Sequence, residues 1–106
     1  MPENPLQALQ DLDPTLMSLV EDGRKLAFSD GALPVKFKIL IALALDASHG
    51  AVDGVRSLAE AANRLGASNE EIAETLRVTQ FISGIGSLYT SSRALRELQE
   101  RRDGLG

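Results

Sequence analysis

The only histidine of the chain, His49, precedes Asp53 by four residues. At this spacing on one helical face, an imidazole and a carboxylate can form a hydrogen bond. A histidine held in this way beside a cavity is a suitable general base. A second interpretation is that His49 caps a turn, while Asp53 pairs with Arg56 near a helix N-terminus, where negative charge is favoured. His49 and Asp53 are therefore candidate catalytic residues, with a structural role as the alternative.

The absence of cysteine limits the available chemistry more than any residue that is present. The 106-residue chain contains no Cys and one His. These counts exclude thiol redox chemistry, cysteine nucleophiles, disulfides and thiolate metal sites. They also exclude a metal centre built from several histidines of one subunit. We therefore predict neither a metal site nor a bound cofactor.

The two candidate residues lie at the junction of two predicted helices. The first covers residues 35–47, follows Leu33-Pro34 and is apolar on nearly all sides; its run 39–45 is also compatible with a buried strand. Ser48-His49-Gly50 forms the turn, and the second helix covers residues 51–65. Its predicted buried stripe comprises Ala51, Gly54, Leu58, Ala62 and Leu65.

The remaining elements are also predicted to be helical. Gly66 is a natural left-handed stop, and Ser68 with Glu71 forms a capping box that opens the next helix. Further helices are predicted over residues 5–12, 13–28 and 87–101, the first with Asn4 as its N-cap and the second with Asp13. The predicted fold is all-α, a single-domain bundle of about five or six helices over residues 1–106. Predicted inner residues are Leu16, Leu19, Val20 and Leu26 in the second helix, Ile72, Leu76 and Thr79 after the capping box, and Leu88, Leu95 and Leu98 in the last helix.

An ordered set of motifs between Leu33 and Leu95 carries a family resemblance. The set consists of Leu33-Pro34, the Ala/Leu-rich helix, AANRLGASNEEIAETLRV and the Gly-x-Gly break at 84–86. Together they resemble the carboxymuconolactone decarboxylase and alkylhydroperoxidase D-like family. The resemblance implies an all-helical, alkylhydroperoxidase D-like fold that assembles into trimers or hexamers.

The resemblance also shows which reactive residues the chain lacks. The peroxidase branch of the family carries a C-x-x-C-x-x-x-H motif and a relay glutamate. Their positions correspond here to Ala51, Gly54, Leu58 and Ile39, none of which can ionise. Peroxidase activity by the family mechanism is therefore excluded. The decarboxylase branch does not need the cysteines but usually keeps the histidine that Leu58 replaces. The absence of cysteine therefore does not exclude decarboxylase activity, but the motif positions do not support it.

The four replaced positions have two interpretations. They line a small apolar pocket that remains from the family's active site, or they are ordinary core residues. Because a helix interior prefers almost any side chain to glycine, a substitution at Gly54 is expected to be tolerated.

Charge and hydropathy indicate the class of partner. The net charge of −4 gives no basic surface for a nucleic acid, and the longest apolar run, residues 39–45, is too short to span a membrane. The acidic N-terminal segment does not resemble a secretory signal, so a cytoplasmic protein is expected. Helix 35–47 is apolar on more sides than one subunit can cover, which predicts a homo-oligomer.

The sequence leaves two kinds of function open. The first is an oligomeric member of this family without its redox site, which binds a small apolar or carboxylic ligand or serves as a structural or regulatory protein. The alternative is a lyase or hydrolase of small carboxylic compounds that uses His49 and Asp53.

Overall fold

The computed structural model of the chain describes residues 6–104, and every regular element in this range is an α-helix. The all-α prediction is confirmed, and the alternative of a strand at residues 39–45 is wrong, because these residues lie within a helix. In chain order the helices are α1 (Gln7–Leu12), α2 (Pro14–Ala27), α3 (Val35–Ser48), α4 (Val52–Arg64), α5 (Asn69–Ser83) and α6 (Gly86–Arg102).

The chain separates into two compact units, one ending at Asp30 and one beginning at Gly31. The first unit contains α1 and α2. As predicted, Asp13 caps α2: its Oδ1 accepts a hydrogen bond from the backbone N–H of Leu16 at 3.0 Å. The predicted cap at Asn4 lies outside the described residues. The apolar side predicted for α2 is not buried, since none of its residues is enclosed and Leu19 and Leu26 are 70% and 79% exposed.

The second unit contains α3 to α6 around one core. Its fully buried centre is formed by residues of α3, α4 and α6: Leu43, Ala47, Val55, Ala59, Ala94 and Leu98. Half of these residues are alanines, and their small side chains allow the helices to approach closely. This unit carries all the candidate site residues.

The buried face of α4 differs from the predicted stripe. Ala62 is buried as predicted, but its neighbours on the core side are Val55 and Ala59, while Leu65 is 44% exposed. Ala51, the first residue of the predicted stripe, precedes the helix. In a helix this rich in alanine several faces are apolar, and contact with α3 and α6 decides which one is buried.

The inner sides of α5 and α6 agree with the prediction only in part. Ile72, Thr79 and Leu98 are buried, whereas Leu76, Leu88 and Leu95 are half-buried. On α6 the additional buried residues are small: Ser87, Ser91 and Ala94. The Ser91 hydroxyl donates to the Ser87 carbonyl at 2.8 Å, so this hydroxyl is satisfied inside the core.

The start of α5 has the predicted capping box. The Ser68 Oγ accepts from the Glu71 N–H at 3.0 Å, and a Glu71 carboxylate oxygen accepts from the Ser68 N–H at 2.9 Å. Gly66, which lies between α4 and α5, has a φ of 89°. The prediction that a left-handed glycine ends α4 is therefore confirmed. Glu71 also pairs with Lys36 of α3 at 3.1 Å. The hydrogen bond from the Ser68 N–H, followed by the contact with Lys36, lowers the pKa of Glu71.

Replacing Glu71 by Gln is expected to lower the thermal unfolding temperature at neutral pH. Because the folded-state pKa is lowered, the ionised carboxylate stabilises the fold above the unfolded-state value of about 4.3, and this contribution disappears as the pH falls through the folded-state value. The difference in unfolding temperature between wild type and Glu71→Gln should therefore shrink in acid. Glu70→Gln, on the same helical turn but outside the box, is the matched control. A difference that stays constant with pH contradicts this account.

Candidate functional site

The structure does not join His49 and Asp53 into a pair. His49 is exposed and follows the end of α3, where its backbone N–H donates to the carbonyls of Leu45 and Asp46. Asp53 lies in the first turn of α4, with its side chain 85% exposed and 2.9 Å from Arg56 Nη1. Since His49 follows the end of α3 and Asp53 lies on α4, the spacing of four does not align their side chains on one helix. The predicted ion pair of Asp53 with Arg56 is confirmed, and a catalytic role of His49 and Asp53 stays a prediction.

Arg56 connects α4 to α6. Its Nη1 atom lies 2.5 Å from a carboxylate oxygen of Glu97, and its side chain is only 14% exposed. Burial disfavours the charged guanidinium, but the hydrogen bonds to Glu97 and Asp53 outweigh this effect and raise the pKa of Arg56. Glu97 could not be predicted as the partner of Arg56 from the sequence, because nothing local relates positions 41 residues apart. The cluster is satisfied within itself, which is typical of a structural ion pair.

The four positions that the resemblance aligns with the family's reactive residues lie on two helices: Ile39 is on α3, Gly54 and Leu58 are on α4, and Ala51 immediately precedes α4. Ile39 is buried on α3, whereas Ala51, Gly54 and Leu58 are half-buried, and Leu58 packs against the core cluster. None of the four lines either of the two cavities described below. Their role in lining a pocket stays a prediction.

An aspartate that the sequence analysis did not consider lies against one of these positions. The carboxylate of Asp46 contacts Gly54, and a Cβ atom added at residue 54 would lie 2.8 Å from Asp46 Cγ. A side chain at residue 54 therefore requires Asp46 to move. Asp46 is in the last turn of α3, where negative charge is unfavourable for that helix. Its position beside the first turn of α4 compensates for this, because helix N-termini favour negative charge.

A cavity lies between α3 and α5, on the side of these helices that faces solvent. We call it the α3–α5 groove: it is open to solvent, has a volume of about 420 Å³ and has no charged residue in its wall. Its polar residues are serines and threonines only. The lining residues are Phe37, Leu40, Ile41, Ala44, Leu45, Ser48, Thr75, Val78, Thr79, Ile82 and Ser83.

A second cavity lies where the end of α4, the start of α5 and the end of α6 meet. We call it the α4–α6 cavity: its volume is about 270 Å³. Apolar residues form its interior, and amide side chains and one arginine form its mouth. The lining residues are Asn63, Asn69, Ile72, Ala73, Leu76, Leu95, Leu98, Gln99 and Arg102.

Two classes of site are absent from the part of the chain that the structure describes. Nowhere in residues 6–104 do three His, Asp or Glu side chains come together as a metal ion would require. No helix in the same range has both the length and the hydropathy needed to cross a membrane.

Residues 6–104 form an all-helical structure, and comparison with known proteins identifies the family of the chain. The sequence profile of the carboxymuconolactone decarboxylase family matches residues 14–97. The chain belongs to this family, which confirms the resemblance found in the sequence.

Two relatives agree with this assignment. An uncharacterized protein from Cupriavidus necator is 36% identical over 85 residues, which are 79% of this chain and 75% of that protein. The crystal structure of a carboxymuconolactone decarboxylase family protein from Legionella pneumophila, in its apo form, superposes with a TM-score of 0.82 at 30% identity. That similarity covers 90% of this chain and 85% of the Legionella chain.

Proposed function

We propose that this protein is a homo-oligomeric, ligand-binding member of the carboxymuconolactone decarboxylase family that does not carry out thiol chemistry. The chain contains no cysteine, and the positions of the family motif hold Ala51, Gly54 and Leu58. The α3–α5 groove has no ionisable residue in its wall. Such a wall can bind apolar groups but cannot transfer protons.

The proposal of self-association rests on the exposed apolar surface of the α3–α5 groove. Its large apolar residues are poorly covered: Ile41, Leu45, Val78 and Ile82 are 48%, 55%, 67% and 76% exposed. Contiguous apolar surface of this kind usually marks an interaction site. Homo-oligomers with closed symmetry are the common solution. At a two-fold interface the same patches of two copies cover each other, and in a three-fold ring one patch contacts a different patch of the next copy.

Charged residues at the edge of the groove support the same assignment. Lys36 and Glu71 pair beside Phe37, and the Lys36 ammonium lies 5.1 Å from the centre of the Phe37 ring. An apolar centre with a polar rim is the usual anatomy of a protein–protein interface. We propose a second copy of this chain as the occupant, in a trimer or hexamer located in the cytoplasm.

No observation favours the alternative function of a lyase or hydrolase acting on small carboxylic compounds. That function needs His49 and Asp53 to act together. Both side chains are exposed, His49 after the end of α3 and Asp53 on α4, and the Asp53 carboxylate pairs with Arg56.

Sedimentation at micromolar concentration tests the proposal. The expected mass is three or six times the 11.3 kDa of one chain, in keeping with a trimer or hexamer. The same sample should consume no hydroperoxide with a thiol reductant beyond the rate of a heat-denatured control. A monomer at all concentrations, or reductant-dependent turnover, contradicts the proposed function.

A further inference from the structure

We infer that the α4–α6 cavity binds a small monocarboxylate with an apolar body, and that Arg102 holds the carboxylate at the mouth. This inference deepens the proposed ligand-binding function and rests on it. The cavity lies apart from the α3–α5 groove and shares no lining residue with it.

The interior of the cavity suits an apolar body. Its walls include Ile72 and Leu98, which are 6% and 4% exposed, together with the half-buried Leu76 and Leu95. A volume of about 270 Å³ accommodates roughly nine groups of the size of water, at about 30 Å³ each. A six-carbon chain with its carboxylate has a similar number of non-hydrogen atoms. Apolar walls with a few polar groups are the usual composition of a small-molecule site.

The mouth of the cavity provides a cation, Arg102, that no acidic side chain within residues 6–104 neutralises. With the Asn63 amide oriented to satisfy its neighbours, its oxygen accepts from Arg102 Nη2 at 2.6 Å and its nitrogen donates to the Ala67 carbonyl at 3.3 Å. This contact holds the guanidinium at the end of α4. Among residues 6–104, Arg102 forms no ion pair with a carboxylate.

The neighbouring polar groups leave the guanidinium as the anion-binding group. The Gln99 amide nitrogen is already engaged, because it donates to the Asp103 carboxylate at 3.3 Å. A guanidinium has five N–H donors, and one contact with Asn63 leaves donors for the two oxygens of a carboxylate. A neutral oxygen would accept weaker hydrogen bonds from these donors, and a cationic group would be repelled by the guanidinium, so the chemistry favours an anionic head.

The test is a titration of the full-length protein with sodium hexanoate, followed by amide chemical shifts in two-dimensional NMR. Saturable shifts are expected at Asn69, Ala73 and Gln99, with a dissociation constant on the order of 1 mM for a ligand of this size. Sodium acetate has the same head without the body, and 1-hexanol has the body without the charge. Both should bind at least several-fold more weakly. Acetate shifts equal to those of hexanoate, or equal affinity for hexanol, overturn the inference.

Two variants and one control locate the site. Arg102→Gln should weaken hexanoate binding about tenfold, as expected for the loss of a charge-assisted hydrogen bond. Arg101→Gln removes the same charge from the next residue, which does not line the cavity, and should change the affinity less than twofold. Ala73→Leu places a larger side chain in the cavity from an exposed position and should abolish binding. Equal effects of Arg101→Gln and Arg102→Gln contradict the assigned site.

Failure of this inference can be distinguished from failure of self-association. The sedimentation mass of each titrated sample reports on the α3–α5 groove, and the shifts at the α4–α6 cavity report on the ligand. An oligomer that does not bind hexanoate overturns the inference alone. A monomer that binds hexanoate overturns the proposed assembly and leaves the monocarboxylate site supported.

Discussion

Replacing Ile82 by Glu is expected to convert the proposed oligomer into a monomer of 11.3 kDa. Ile82 lines the α3–α5 groove and is 76% exposed in the single subunit. The fold of the subunit therefore tolerates a charge there, whereas a subunit interface does not. Burying an unpaired carboxylate between two copies costs several kcal/mol, enough to shift association by two or more orders of magnitude.

The matched control introduces a glutamate outside the groove. Leu65 is 44% exposed at the end of α4 and does not line the groove, so Leu65→Glu should leave the mass unchanged. Circular dichroism of both variants should show wild-type helix content. If Ile82→Glu keeps the wild-type mass, or if Leu65→Glu dissociates the protein equally, the groove is not the self-association surface.

The second large effect is expected at Gly54 and depends on Asp46. In a helix, replacing glycine by alanine ordinarily stabilises by about 1 kcal/mol. Here a Cβ atom at residue 54 overlaps the Asp46 carboxylate, and overpacking of this kind costs about 1–3 kcal/mol. Gly54→Ala should therefore fail to stabilise the protein. The sequence predicts that a substitution at Gly54 is tolerated, because the contact with Asp46 cannot be recognised from helix propensity alone.

A double-mutant cycle separates the two contributions. In an Asp46→Ala background the overlap is absent, so Gly54→Ala should stabilise the fold by about 1 kcal/mol in urea unfolding. The coupling energy between the two positions is then about 1–3 kcal/mol. Gly23→Ala is a control, since a Cβ atom there meets no neighbour. Additive effects of the Asp46 and Gly54 changes contradict the proposed contact.

Helix starts and stops were predictable because each depends on residues close in sequence. The Asp13 cap, the box formed by Ser68 and Glu71, and the stop at Gly66 all appear where the sequence indicates them. Each motif satisfies backbone groups that the helix itself leaves free, so no distant residue is needed.

The buried faces were less predictable. On α4, alanines on several sides made two stripes nearly equivalent, and packing against α3 and α6 selected Val55 and Ala59. On α6, serines became buried because their hydroxyls bond to carbonyls of the preceding turn, as Ser91 does. Hydropathy alone ranks such residues as exposed.

The candidate site was the least predictable part. The Arg56–Glu97 pair and the walls of both cavities join residues from separate helices. The sequence did contain one signal for Asp46, an acidic residue that directly follows the apolar run 39–45 and lies in the last turn of α3, where the helix dipole disfavours it. The resemblance to the family predicts which positions correspond to its motif, but it does not predict that Asp46 lies against Gly54.

The most direct test of the central claim, that a second copy covers the α3–α5 groove, is a spin-label measurement. Because the chain has no cysteine, Ser83→Cys gives one labelling site per subunit at the groove, and Ser57→Cys gives an exposed site on α4 outside it. We predict that the label at residue 83 is immobilised and couples to its equivalent in another copy at a shorter distance than the label at residue 57. Dilution with unlabelled protein should remove the coupling. A mobile label at residue 83 without coupling between copies contradicts the account.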